Sequence, residues 1–127
     1  MPVIDALTQN GCRFVVVGSA AIQLLDGSGE PRDLDIVALD TAADRHRLIR
    51  ALAAVGGWIQ TTSGPRPVAA SPALPSWSWR VNTAYAPVDV IFRFADGTGY
   101  AEHAAAAIDV ATPSGHMIPA HRTRHAA

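Results

Sequence analysis

The 127 residues are the size of one domain, and 49% of them are hydrophobic against 17% charged, a balance that supports one buried core and excludes an intrinsically disordered chain. A formal net charge of −1 excludes sequence-independent attachment to nucleic acid through bulk charge and leaves room only for a local basic patch. All ten Lys-or-Arg positions are Arg, so neither a Schiff-base lysine nor a P-loop lysine can operate here.

Residues 2–10 place Val3, Ile4 and Leu7 at helical spacing and end at Asn10-Gly11, which predicts a short helix. The single Cys12 has no internal disulfide partner, and no charged-then-apolar leader or 18-residue apolar run is present. A cytoplasmic location without membrane attachment is therefore expected. Residues 14–17, Phe-Val-Val-Val, read as a strand covered on both faces, and residues 20–25 as a helix with Ser19 at its N-cap, closed by Asp26-Gly27-Ser28-Gly29. Residues 34–39 form the next predicted strand. The longest predicted helix, 41–55, has Thr41 as N-cap and Gly56-Gly57 as stop. Leu48, Leu52 and Val55 share its apolar stripe, while Arg45, His46, Arg47 and Arg50 fall mostly outside it and read as a solvated face.

Residues 58–62 predict a strand, and residues 63–76, with four prolines and Gly64, predict a loop. Period-two alternation marks 77–83 and 88–94 as strands, and Tyr85-Ala86-Pro87 is short enough to join them as a hairpin. A helix over 101–107 and short strands over 108–111 and 116–118 complete the pattern. The predicted class is α/β (α+β): residues 1–118 form one domain, a mixed, mostly antiparallel-edged sheet flanked by helices, and 119–127 form a flexible tail.

Carboxylates interrupt two of these strands. Asp33 and Asp35 are two positions apart, so on a strand they share a face, with Cβ atoms roughly 7 Å apart, opposite Leu34 and Ile36. Such neighbours repel each other and raise a pKa unless a cation lies between them, and their hard oxygens suit Mg²⁺ or Mn²⁺. Asp89, flanked by valines, lies opposite the apolar stripe of its own strand. If that strand neighbours the Asp33 strand, three carboxylates line one surface. Gly18 lets a backbone approach closely, and the N–H groups of Ser19 and Ala20 at a helix start can hold a phosphate. Plainer readings are a strand edge meeting solvent for the acid pair, an exposed hairpin face for Asp89, and a simple turn and cap for Gly18-Ser19. Arg93 serves either charge stabilisation near Asp89 or a structural ion pair. Trp77 and Trp79 serve either base stacking or packing. The histidines lack zinc spacing with a cysteine and read as surface residues.

The ordered set of apolar run, Gly18-Ser19, thirteen residues, Asp33-Leu34-Asp35-Ile36 and a later Asp89 resembles the nucleotidyltransferase fold of the DNA polymerase beta superfamily. Within it the chain is most similar to small bacterial minimal nucleotidyltransferases and AbiEii-type toxins. The likeness covers roughly residues 12–94, and Gly97-Thr98-Gly99-Tyr100 before an Ala-rich helix also resembles that group. It implies Mg²⁺-dependent transfer of a nucleoside monophosphate from an NTP to a hydroxyl on RNA such as tRNA, on protein or on a small molecule, within a toxin–antitoxin or phage-defence pair. By matching positions, Asp33 and Asp35 hold two metals, Asp89 holds the catalytic one, and Gly18 and Ser19 contact the triphosphate. Arg32 either reaches the triphosphate or pairs with Asp26 or Glu30. Where relatives carry a further basic helix, this chain has His121-Arg122-Thr123-Arg124-His125, so a wall for base and acceptor falls to the Trp strand or to a partner chain. A catalytically inactive nucleotide- or partner-binding module on the same scaffold, and a homodimer built on the Trp strand, are the competing readings.

Overall fold

The computed structural model describes residues 1–27, 33–70, 74 and 76–122. Arg32 and residues 123–127 of the expected tail lie outside the described residues. In chain order the elements are α1 (Pro2–Gln9), β1 (Phe14–Val17), α2 (Gly18–Asp26), β2 (Leu34–Ala38), α3 (Ala42–Ala54), β3 (Trp58–Thr61), β4 (Gly64–Pro67), a short 3₁₀ turn (Val68–Ala70), β5 (Ser78–Val81), β6 (Val88–Ile91), α4 (Tyr100–Ala106), β7 (Ile108–Ala111) and β8 (Met117–Ala120).

A six-stranded mixed sheet runs in the order β5-β6-β2-β1-β8-β7, and β3-β4 is a separate hairpin. The pairs β1-β2, β5-β6 and β7-β8 are antiparallel, whereas β1-β8 and β2-β6 are parallel. The α+β class and the antiparallel edges agree with the sequence reading. All four residues of β1 and all five of β2 are buried, as expected for central strands walled in on both sides. On one face, Val16, Leu34, Ile36, Val88 and Val90 pack with Ile4 and Leu7 of α1, Ala20 and Ala21 of α2, and Leu48 and Leu52 of α3. The other face is thinner. There Val15, Val17, Val37, Ile91 and Phe94 pack beneath Tyr100 and Ala104 of α4, a helix of seven residues and so only about 10 Å long.

Helix α3 begins where its sequence predicts, with the Thr41 hydroxyl accepting the Asp44 N–H at 3.0 Å. Its stop at Gly56-Gly57 has a packing cause: the Gly57 N–H donates to the Leu52 carbonyl at 2.8 Å, and a Cβ on Gly57 would lie 2.6 Å from that oxygen. Among the described residues, no helix is long and apolar enough to cross a membrane.

Several expectations need correction. The proline-rich stretch expected as a loop contains β4 and the 3₁₀ turn. β4 pairs only with β3, as Trp58↔Pro67 and Gln60↔Pro65, and an edge strand tolerates residues that cannot donate to a second neighbour. The segment after 118 is no free tail at its start. β8 continues to Ala120 with Ile118 and Ala120 buried, the His121 N–H donates to the Val16 carbonyl at 2.9 Å, and Arg122 pairs with Asp26 at 2.7 Å. Arg45 does not point into solvent with the rest of its predicted face. Its guanidinium lies 4.0 Å from the Phe92 ring centroid and bonds Asp40 at 2.6 Å, because Trp79 of β5 and Phe92, just past β6, offer a cation a flat surface. Trp79 is buried edge-on against Phe92, at 4.8 Å between centroids, so packing is its role. Trp77 is exposed. His103 is also not a surface residue. It is buried, stacked near Phe94, with its Nδ1 2.9 Å from His121 Nδ1 and its Nε2 3.0 Å from the Thr98 hydroxyl.

Candidate active site

Side-chain alternation along β2 sends Leu34 and Ile36 into the larger core and Asp35 to the opposite face, the one on which Val37 packs beneath α4. Likewise β6 sends Val88 and Val90 inward, and Asp89 and Ile91 to that same opposite face. Parallel pairing in the register Leu34↔Val88 and Asp35↔Asp89 then sets the two acids side by side, on strands about 4.8 Å apart. The conditional neighbourhood on which the sequence reading rested is present.

Asp35 is buried and Asp89 half-buried. Desolvation, a carboxyl–carboxylate hydrogen bond with Asp89 and the charges of Asp89 and Asp33 raise the Asp35 pKa to about 6, against a smaller lowering by Arg80. Asp33 sits just before β2, exposed at its entry. It contributes charge to Asp35 from there, without the strand geometry expected of it. Among the described residues, no three His, Cys, Asp or Glu side chains are gathered closely enough to hold a metal ion. The tight core of the candidate site is therefore a pair, Asp35 and Asp89, with Asp33 at its margin.

β1 ends opposite Asp35, in the register Val17↔Asp35, and the chain turns there into α2. Gly18 makes the turn with φ +66°, and a Cβ on it would meet Asp35 Oδ2 at 2.9 Å. The glycine thus serves both a left-handed backbone and a close approach to the acid. Helix α2 starts two residues earlier than expected: Gly18 is its first residue, Val17 is the N-cap, and no side chain caps it. Ser19 is consequently not an N-cap but an exposed residue of the first turn, where backbone N–H groups lack intrahelical partners and favour an anion. Gly18→Ala is expected to lower stability by about 1–2 kcal/mol from the backbone conformation alone, with Asp35 displaced as well. Urea denaturation checks this, and a wild-type midpoint would refute the close contact.

Arg80 is the site residue that sequence reasoning missed. It faces Asp89 across the β5-β6 hairpin, in the register Arg80↔Asp89, and its Nη1 donates to Asp89 Oδ2 at 2.7 Å. The expected turn did not give it: a hairpin closed around residues 85–87 pairs positions that sum to 172 and sets Asp89 opposite Thr83, whereas the two strands are joined through residues 82–87 and pair positions that sum to 169. Arg93 does not come to the acids. It lies past the end of β6, exposed, and lines a shallow cleft with Asp40, Ser76, Trp77 and Phe92.

Comparison of this chain with protein-family models, with curated proteins and with solved structures yields no match.

Proposed function

We propose that this protein is a Mg²⁺- or Mn²⁺-dependent nucleotidyltransferase that moves a nucleoside monophosphate from an NTP to a hydroxyl acceptor and releases pyrophosphate. One observation carries the reading: the Asp35↔Asp89 register places two carboxylates beside the glycine turn that opens α2. The raised Asp35 pKa marks a place where negative charge exceeds its compensation, and the donors are hard oxygens, so the residues fit a divalent ion of this kind. Asp35 and Asp89 would hold it, with Asp33 adding negative charge from the entry to β2. When bound, the ion neutralises charge spreading over the α-phosphate and lowers the pKa of the attacking hydroxyl.

The chain's own residues position the reactants. Gly18 leaves Asp35 room to stand at the head of α2, and the first-turn N–H groups with the Ser19 hydroxyl receive phosphate oxygens. The acceptor hydroxyl belongs to RNA, protein or a small molecule, and the resemblance suggests a toxin–antitoxin or phage-defence pair as the setting. The test is incubation with α-labelled NTPs, Mg²⁺ and tRNA or lysate protein. Label transfer that disappears in Asp33→Ala and Asp89→Asn is expected, and no transfer with any NTP would overturn catalysis.

A second reading, a nucleotide-binding module without turnover, is favoured by Arg80 already compensating Asp89 at 2.7 Å. Calorimetry with ATP, GTP and CTP separates the two, because Mg²⁺-dependent binding without label transfer belongs to the module alone.

A further inference from the structure

Asp35 and Asp89 are adjacent carboxylates with unequal surroundings. Asp89 has a guanidinium on it, held across a two-stranded antiparallel register that places Arg80 directly opposite, whereas Asp35 has no ion pair of its own among the described residues. The Arg80 side chain is 55% exposed and that of Asp89 25%, so the contact is open to solvent and can break without disturbing the core. Only Nη1 of the guanidinium is engaged with the acid, a single-point contact rather than a fork, and such a contact is the more readily exchanged. β5 is an edge strand of the sheet, which leaves Arg80 free to swing outward.

We propose that Arg80 is the resident counter-cation of the acid pair, and that the guanidinium and a divalent metal ion are alternative partners for Asp89. The proposal rests on the reading of Asp35 and Asp89 as a metal site, and it adds a competitor built into the fold. With Arg80 on Asp89 part of the negative charge of the site is compensated, and a second cation gains less there. Release of Arg80 opens Asp89 Oδ2 for coordination and sets a free guanidinium beside the place where a triphosphate would enter, where planar N–H donors suit phosphate oxygens. Arg80 is thus a positioning residue: it sets how much metal or metal–nucleotide is needed before the acids adopt their working arrangement.

Binding of Mn²⁺ alone to the metal-free protein, followed by the loss of the free-ion electron paramagnetic resonance signal, tests this without any turnover. Arg80→Gln is expected to bind Mn²⁺ about tenfold more tightly than wild type, since a cation in contact with the ligand has been removed. Arg80→Lys, which keeps the charge, is expected to stay within about threefold of wild type. Asp89→Asn is expected to lose the tight site in both the wild-type and the Arg80→Gln backgrounds. Equal or weaker Mn²⁺ binding by Arg80→Gln would overturn the proposal while leaving the metal site intact. Equal gains in Arg80→Gln and Arg80→Lys would also overturn it, by showing that charge is not the cause. Absence of binding to every variant would overturn the metal site and the proposal together. Far-ultraviolet circular dichroism of each variant confirms that the fold is retained.

Discussion

Asp35→Asn is expected to be more stable than the wild-type chain at pH 8 in metal-free buffer, and to lack the proposed nucleotidyl transfer. The acid is buried on a central strand beside another acid, and burial, the hydrogen bond to Asp89 and the charges of Asp89 and Asp33 lift its pKa from the usual 3.8 to about 6. A folded-state pKa above the unfolded one means that the proton stabilises the fold. That contribution is complete below about pH 4, declines as pH rises, and is gone above about pH 6. With solvent reaching the site past half-buried Asp89, the charged form costs about 2 kcal/mol. Asparagine keeps the shape, donates an N–H to Asp89 and carries no charge, so it removes this cost. The expected gain is about 1–2 kcal/mol at pH 8, vanishing near pH 4.5, with a loss of at least about 10³-fold in transfer rate. Urea denaturation at the two pH values, beside the label-transfer assay, measures both. An Asn variant less stable than wild type at pH 8 would mean that the acid pair is not strained in this way.

Asp44→Ala is expected to cost about 3 kcal/mol of stability, the opposite sign from the first substitution. Asp44 is 1% exposed. Burial by itself would push its pKa up, but the Thr41 hydroxyl, the Arg13 guanidinium and the charge of Arg47 outweigh that and hold it below the usual carboxylate range. Arg13 grips both oxygens, Nε to Oδ1 at 3.2 Å and Nη2 to Oδ2 at 3.1 Å, so the approach to β1 is tied to the first turn of α3. A depressed pKa contributes stability above the unfolded value and loses it as pH falls through the folded one. The wild-type chain should therefore hold this contribution from neutral pH down to the ordinary carboxylate range and lose it only in stronger acid, whereas Asp44→Ala should lack that acid-dependent loss. A difference below about 1 kcal/mol at pH 7 in urea denaturation would show that Arg13 and Asp44 do not brace the helix.

These two acids differ through their partners. Asp44 is surrounded by donors and stabilises the fold in its charged form. Asp35 has another carboxylate for a neighbour and a glycine turn against it, an arrangement whose ionised form costs the fold free energy. Composition distinguishes neither, since both are aspartates in otherwise apolar or helical stretches. The difference lies in what long-range packing brings to each.

Local chemistry alone determined the order of strands and helices apart from β4, the Thr41 cap, the β5-β6 hairpin, and the fact that Asp35 and Asp89 each point away from the larger apolar face of their own strand. Side-chain period, capping and turn residues act over a few positions, so they are written directly in the order of the residues. Tertiary structure decided which acids meet. Asp35 and Asp89 are 54 positions apart, and their parallel register depends on how β6 returns after the β3-β4 excursion to fill the space between β2 and β5. The same long-range packing buried Asp44 and His103, drew β4 out of a proline-rich stretch, held Ala120 and His121 against β1 and Arg122 on Asp26, and placed Arg80 on Asp89. None of these has a local period, because each is set by the need to cover both faces of one sheet with the chain at hand.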